Sequence, residues 1–342
     1  VASAKTASRA RLKEPDNRRA FQSALLGWFA QAGRDLPWRR TRDPYAILVS
    51  ECMLQQTQVA TVLGYYRRWL AQFPDVQTLA AAAPEEVLRA WEGLGYYARA
   101  RNLHRAARQI VAEHGGVFPR ELALIAALPG VGRYTAGAVA SFAFDTPAPI
   151  VDANIARVLA RLTKLELPID TAPGQRALWA AAAALLPPQD ARLYNSALME
   201  LGAIVCPARR PQCLICPVLR FCAAAPFGPE RLPIKRARQV TVALEENCGW
   251  TLSAAGLLLQ QEVGSRWRGM WKLPPLAAAA ADGNAPIFQV IYPFTHHRIT
   301  LRVYPAAAPL APVDRQAWHP LDRLDKLALP APHRRAVRAL LA

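Results

Sequence analysis

ALPGVGRYTAGAVASFAF, residues 127 to 144, sets a glycine-rich turn directly before an alanine-rich run of helical character. Gly130 and Gly132 can both take left-handed backbone angles, and having no side chains they let backbone N–H groups close on a phosphate at the positive end of the following helix. No Gly-Lys-Ser/Thr follows, so the turn is not a nucleotide-binding P-loop. Upstream, residues 99 to 126 read as helical, with Leu103, Ala106, Ala107 and Ile110 at helical spacing. The combination predicts a helix-hairpin-helix; an ordinary helix-turn-helix corner is the alternative.

The chain has 342 residues, 52% of them hydrophobic, enough for two domains with a large apolar core. Its apolar runs are interrupted by Pro, Gly, Arg or Asp before reaching the length that crosses a bilayer. The opening VASAKTASRARLKEPDNRRA is polar and basic, unlike a secretory signal, and is expected to be a flexible tail on a cytoplasmic protein. A formal charge of +17, spread over both sides of residue 225, suits a polyanionic partner. A genome-driven arginine content would give the same balance.

Four of the six cysteines fall at Cys206, Cys213, Cys216 and Cys222. In a reducing compartment such density favours metal over disulfides. Zinc sites tend to use two Cys-x2-Cys pairs set far apart, whereas one compact loop of four thiolates can wrap a cubane, so the spacing favours a [4Fe-4S] cluster. Arg209 and Arg210 lie between the first two ligands, where a rigid loop would present them to phosphates or where they would offset thiolate charge.

Two carboxylates stand out. In DPYAILVSECMLQQT, residues 43 to 57, Glu51 shares a helical face with Ile47, Leu48 and Leu54. Burial there would raise its pKa and keep it able to donate a proton near neutrality, unless an arginine satisfies it as an ordinary helix Glu. Thr57 is placed to cap a second helix running to about Leu70. In PIVDANIARVLARL, residues 149 to 162, Asp152 precedes the helical series Ile155, Val158, Leu159 and Leu162 and reads as an N-cap.

Taken in this order and spacing, the four-cysteine loop, LPGVGRYTAGAV and VDANIARVLARL resemble the helix-hairpin-helix superfamily of DNA base-excision glycosylases carrying an iron-sulfur cluster. Within it, SECMLQQTQVATV and WEGLGYYARARNLH look like adenine DNA glycosylases of the MutY type, and the resemblance runs closely over residues 21 to 225. It implies Glu51 as the acid that protonates adenine at N7 and Asp152 as the group that stabilises the oxocarbenium-like sugar. Tyr134 and Asn154 match positions that orient these two, with Glu200 as a further polar support. Bifunctional members carry a lysine where this chain has Tyr134, and neither tyrosine nor the adjacent Arg133 forms a Schiff base, so base removal without strand cleavage is implied. Gln55 and Gln56 match the loop inserted into the duplex when the target is flipped out, and Leu94 and Tyr96 the wedge beside the lesion base. Ala153 stands where the family often has glycine.

Residues 226 to 240, rich in proline and charge, read as a linker. Beyond it, short apolar alternations such as TVALEE, GLLLQQE and RITLRVYP suggest strands. SRWRGMWKLPPL resembles the start of a Nudix-like domain, but the glutamate-rich catalytic helix that should follow is replaced by AAAAADGNAPIF, which speaks against nucleoside diphosphate hydrolysis. YPFTHHRI resembles the loop that reads 8-oxoguanine, with Thr295 in place of a serine, followed by His296.

The expected fold is therefore mostly α: a two-subdomain helix-hairpin-helix glycosylase with a [4Fe-4S] loop, plus a C-terminal Nudix-like α/β domain. Residues 1–20 form the tail, 21–225 the catalytic region and 241–342 the lesion-reading domain, with the first helix and about 145–225 making the cluster subdomain. The expected partner is double-stranded DNA with an adenine mispair, bound by a monomer with no membrane contact and with room for other repair proteins. A pyrimidine-directed glycosylase/lyase and a non-catalytic lesion sensor are the alternatives.

Overall fold

The computed structural model describes residues 12, 14–236, 240–277, 285–309, 311–313 and 315–342. It divides into two compact units, Val1–Cys52 with Val117–Ala237, and Met53–Gly116 with Arg238–Ala342. Among the described residues no helix is long and apolar enough to cross a membrane.

The first unit is helical. Its opening helix spans Pro15–Ala32 and so takes in residues 15–20, which were expected as tail; Pro15 sits in the first turn, where its missing N–H costs nothing. Phe21 meets Tyr194 and Phe221 edge-on, at ring centroid separations of 6.5 and 5.8 Å. These rings join Leu25, Ile155, Leu159, Leu198 and Val218 in one core, which therefore ties the first helix to the helices Ala153–Leu162 and Ala191–Glu200 and to the cysteine loop.

The backbone departs from two expectations. The helical stretch expected over 99–126 breaks, because Gly115 and Gly116 both adopt positive φ and end the helix Ala98–His114. The hairpin is built instead from the five-residue helix Leu122–Ala126, a turn with Gly130 at φ 75°, and the helix Arg133–Phe144. Gly132 is not left-handed: it caps that helix in extended geometry, φ −88° and ψ 177°. Gly137 is needed for packing, since a Cβ there would sit 2.9 Å from the Pro149 carbonyl oxygen. Residues 226–240, expected as a linker, pack on this unit where described: two short 3-10 turns at 225–227 and 229–231 lead to Ile234, whose carbonyl accepts from Ile169 N–H at 2.9 Å.

In the second unit the helices Val59–Gln72, Val76–Ala81, Pro84–Ala90 and Ala98–His114 close around Trp69, Leu79, Trp91, Leu103 and Ile110. The helix after the Gln55-Gln56 turn begins at Val59 with Gln58 before it; Thr57, expected as its cap, instead donates to the Gln55 carbonyl at 3.4 Å. The C-terminal part is an α/β region. Strands β1 (Val242–Trp250), β2 (Leu252–Ser253), β3 (Gly256–Gln261), β4 (Trp271–Lys272), β5 (Phe288–Phe294), β6 (His297–Pro305) and β7 (Gln316–His319) form two sheets. One has the order β1-β6-β5, with β1 parallel and β5 antiparallel to β6; the other joins β2, β4 and β7 through β3. The helix Ala331–Leu341 follows. Most of the segment AAAAADGNAPIF, residues 278–284, lies outside the described residues.

Candidate active site

Glu51 lies on the helix Pro44–Leu54, which Asp43 starts by accepting from the N–H groups of Tyr45 at 3.0 Å and Ala46 at 3.3 Å. Every residue from Tyr45 to Met53 is buried, so the helix is enclosed on all sides and its one carboxylate, only 4% exposed, is enclosed with it. Its partner is not an arginine. The Tyr134 hydroxyl, from the first turn of the hairpin's second helix, donates to Glu51 Oε2 at 2.8 Å. Burial pushes the Glu51 pKa up to about 7, against the lowering effect of that hydrogen bond, and the nearby Asp152 charge adds to the rise. Burial and the two carboxylates also hold Tyr134 firmly in its neutral form.

Asp152 is the N-cap of Ala153–Leu162, as its place in the sequence implied. Its Oδ1 accepts from Ile155 N–H at 2.6 Å and its Oδ2 from Asn154 Nδ2 at 3.2 Å. Burial raises its pKa, while the backbone N–H groups of Ile155 and Asn154 and the charge of Arg157 pull it back. The first unit thus holds two buried carboxyl groups, both raised by burial: Glu51 has a single hydroxyl donor to offset that rise, whereas Asp152 has several N–H donors and the Arg157 charge.

Sequence reasoning missed what holds this pair in place. Arg157 donates to Asn154 Oδ1 at 2.8 Å, to the Gly202 carbonyl at 2.6 Å and to the Cys206 carbonyl at 2.8 Å, linking the Asp152-Asn154 pair to the first cysteine. Gly202 lies in a π-helical turn, Leu201–Val205, and a Cβ on it would come within 2.8 Å of Asn154 Cβ. Arg161, one turn further, is 1% exposed and donates to the carbonyls of Pro207 at 2.8 Å, Ala208 at 3.0 Å and Leu232 at 3.0 Å, and to Cys206 Sγ at 3.1 Å. The available signal was the four-residue spacing of two arginines on a helix with an apolar face, where a buried guanidinium must find acceptors.

Glu200, expected as a further polar support, is held by two arginines. It is wholly buried, and both oxygens are taken by Arg34, at 2.6 and 2.9 Å, and by Arg39, at 2.8 Å. Although burial works the other way, those guanidinium bonds hold its pKa down at about 2. It is an ionised anchor for the segment leading into the Glu51 helix.

None of the four loop cysteines is in a disulfide. Sulfurs bound to a single zinc ion at ~2.3 Å would lie ~3.8 Å apart. No three of them approach so closely: among the described residues the one set of three donors mutually within 4.8 Å is Glu246, Cys248 and His333. Four sulfur donors in one loop are of the chemistry that an iron–sulfur group takes. Buried Arg161 has no carboxylate within 4 Å among the described residues and donates to Cys206 Sγ, so a metal-bound sulfur there would supply its counter-charge. Arg209 and Arg210 are exposed on the same loop, Arg210 at φ 52°.

The Glu246-Cys248-His333 set does not fit a metal. His333 Nδ1 accepts from Leu273 N–H at 3.3 Å, which leaves the ring hydrogen on Nε2, the atom facing Glu246 Oε1 at 3.8 Å. Tyr292 OH donates to Glu246 at 2.8 Å and Arg266 pairs with it at 3.2 Å, so its carboxylate is already held. Burial pushes the Cys248 thiol up to about 12, and it is inert.

The second unit carries the remaining expected residues. Arg99 donates to the carbonyls of Met53 at 3.0 Å, Gln55 at 2.6 Å, Leu94 at 3.1 Å and Gly95 at 3.0 Å, and lies over the rings of Trp91 and Tyr96. One guanidinium thus joins the Gln55-Gln56 turn to the Leu94-Tyr96 turn. Gln56 and Tyr96 both sit at positive φ, 57° and 50°, a strained geometry that needs such support. Leu94 is buried, whereas Tyr96 is 43% exposed and, with Thr295, Trp267 and Phe294, lines a cavity of about 350 Å³. Thr295 forms the tip of the β5–β6 hairpin at φ 52°, its hydroxyl donating to the Phe294 carbonyl at 2.7 Å; His296 beside it is exposed.

Residues 49–179 match the family described as HhH-GPD superfamily base excision DNA repair protein. Over 214 residues the chain is 49% identical to an adenine DNA glycosylase of Mus musculus, covering 60% of this chain and 42% of that protein. It is 43% identical over 221 residues to an adenine DNA glycosylase of Mycobacterium tuberculosis, covering 64% of this chain and 72% of the relative. It spans about two fifths of the length of the mammalian relatives. Among solved structures it is similar to a thermostable thymine-DNA glycosylase (TM-score 0.56, 33% identity, 61% of this chain and 96% of that one) and to endonuclease III in a non-covalent DNA complex (TM-score 0.51, 26% identity, 60% and 92%).

Proposed function

Because the chain belongs to the adenine DNA glycosylase family of the HhH-GPD superfamily, we propose that it hydrolyses the N-glycosidic bond of an adenine mispaired with 8-oxoguanine or guanine in double-stranded DNA, without cutting the strand. The observation that carries this reading is Glu51, a carboxyl group held by Tyr134, able to keep its proton near pH 7, and influenced electrostatically by Asp152. With Tyr134 donating to Oε2, Oε1 is left to deliver a proton to adenine N7. The C1′–N9 bond then breaks with its electron pair on the neutralised base, and the oxocarbenium-like sugar faces the Asp152 anion. Water adds to C1′, and its proton returns to Glu51. No amine occupies the hairpin position, so no Schiff base forms and the strand stays whole.

Cys206, Cys213, Cys216 and Cys222 would hold one [4Fe-4S] cluster, whose iron–thiolate bonds fix the loop covalently. Arg209 and Arg210 then face phosphates from a rigid base, and the hairpin turn at Gly130 and Gly132 offers backbone N–H groups to another. In the second unit, Gln55, Gln56 and Tyr96 fill and wedge the helix, buried Leu94 serving only to hold the Tyr96 turn, while Thr295 and His296 read the lesion base. The C-terminal sheets serve as a Nudix-like reading domain with no hydrolase role. We assign the work to a cytoplasmic monomer on the chromosome. Incubation with a duplex holding one adenine opposite 8-oxoguanine, followed by chromatography of the free bases, should yield adenine in proportion to duplex. Release of a damaged pyrimidine from a control duplex, with no adenine from this one, would support the rival glycosylase/lyase instead.

A further inference from the structure

A groove of about 550 Å³ in the second unit runs between the helices Val59–Gln72 and Pro84–Ala90 and the C-terminal helix Ala331–Leu341. Five arginines line it, Arg68, Arg89, Arg334, Arg335 and Arg338, against one carboxylate, Glu92. Glu92 is already committed: Arg334 grips it at 2.8 and 3.1 Å and Arg89 at 3.0 Å. Arg334 is itself buried and also donates to the carbonyls of Leu324 and Leu327, so it serves the fold. The other three are exposed, and among the described residues none of Arg68, Arg335 and Arg338 has a carboxylate within 4 Å. Arg335 and Arg338 are one turn apart on the same helix, and Arg68 lies over the Tyr65 ring, 4.6 Å from its centroid.

Guanidinium groups gathered without a counter-charge repel one another, and their planar forks match phosphate oxygens two at a time. A free nucleotide would also want a ring to stack on, but Trp69 is buried and Tyr65 is covered by Arg68. The groove shares Gly93, Ala331 and Arg335 with the cavity lined by Tyr96 and Thr295. We propose that this arginine groove seats backbone phosphates of the lesion-bearing DNA strand as it leaves the cavity of Tyr96 and Thr295. The assignment rests on the reading of that cavity as the place of the 8-oxoguanine.

The test uses the full-length, cluster-loaded protein with Glu51→Gln to prevent turnover, with and without Arg68→Gln, Arg335→Gln and Arg338→Gln together. Binding to a duplex with a central adenine:8-oxoguanine pair is measured from 50 to 200 mM salt. Each lost phosphate contact should lower the slope of log Kd against log salt by ~0.9, so loss of all three lowers it by about 2.7. The loss should vanish on a duplex whose lesion strand is cut back on one side of 8-oxoguanine, and Arg→Lys at the three positions should restore most of the slope. An unchanged slope on the full duplex would overturn the proposal. So would an equal loss on duplexes cut back on either side, or saturable binding of pyrophosphate that the three substitutions abolish while the DNA slope stays put. If the parent protein shows no preference for 8-oxoguanine over guanine, the cavity reading fails. The salt slope still scores the groove as a phosphate site.

Discussion

Replacing Glu51 by Gln should abolish base release and make the protein more stable at alkaline pH. The unfolded carboxyl titrates at 4.5 and the folded one at about 7, so ionising Glu51 in the folded state is opposed by ~2.5 pK units, or about 3 kcal/mol. The sign follows from the raised pKa. Below 4.5 both states are protonated and the site costs nothing; as pH rises to 7 the unfolded chain releases its proton first, and above 7 the full cost is present. Gln keeps an oxygen to accept from Tyr134 and carries no charge, so it escapes the cost. Denaturant titration of the two proteins at pH 5 and pH 8.5 should show a gap in unfolding free energy of under ~1 kcal/mol at the first and about 3 kcal/mol at the second. A gap that stays constant with pH, or a wild type more stable at pH 8.5, would refute the claim that burial keeps this acid protonated.

Removing the Tyr134 hydroxyl with Tyr134→Phe takes away a hydrogen bond that lowers the Glu51 pKa, so the alkaline limb of the pH–rate profile for adenine release should move to higher pH. Arg157→Leu breaks the link from Asn154 to the Gly202 and Cys206 carbonyls; it should slow single-turnover base release by ~10–100-fold, on the scale of one or two charged hydrogen bonds, with Kd for DNA nearly unchanged. Arg99→Leu releases two turns at once and should instead raise Kd for the lesion duplex ~10-fold or more. Arg99→Lys should not restore it, because an ammonium cannot span both sets of carbonyls.

The parts of the site carried by local signals were readable from the chain. Asp152 before an apolar helical series is a cap in the structure, and Glu51 among Ile47 and Leu48 is buried with them. The strands of the C-terminal region followed from alternation, as at Arg298–Tyr304 in β6. Contacts that span long stretches of sequence left no such mark. Arg157 reaches Cys206 across 49 positions, and Glu200 finds Arg34 across 166, so even where the spacing of Arg157 and Arg161 hints at buried guanidinium groups, no local pattern names their acceptors. Turn geometry was readable only in part: Gly130 is left-handed and Gly132 extended, because one turn needs a single reversal before the helix can start. Gly115 and Gly116 could have been recognised as the end of the preceding helix, since paired glycines after His114 are a strong stop signal.

The most direct test of acid-assisted, monofunctional excision is strand breakage of a labelled duplex with one adenine opposite 8-oxoguanine, measured with and without hot alkali, for the wild type and Glu51→Gln. Breakage only after alkali in the wild type, and none in the variant, is the predicted result. Breakage without alkali, or full activity in Glu51→Gln, would contradict the account.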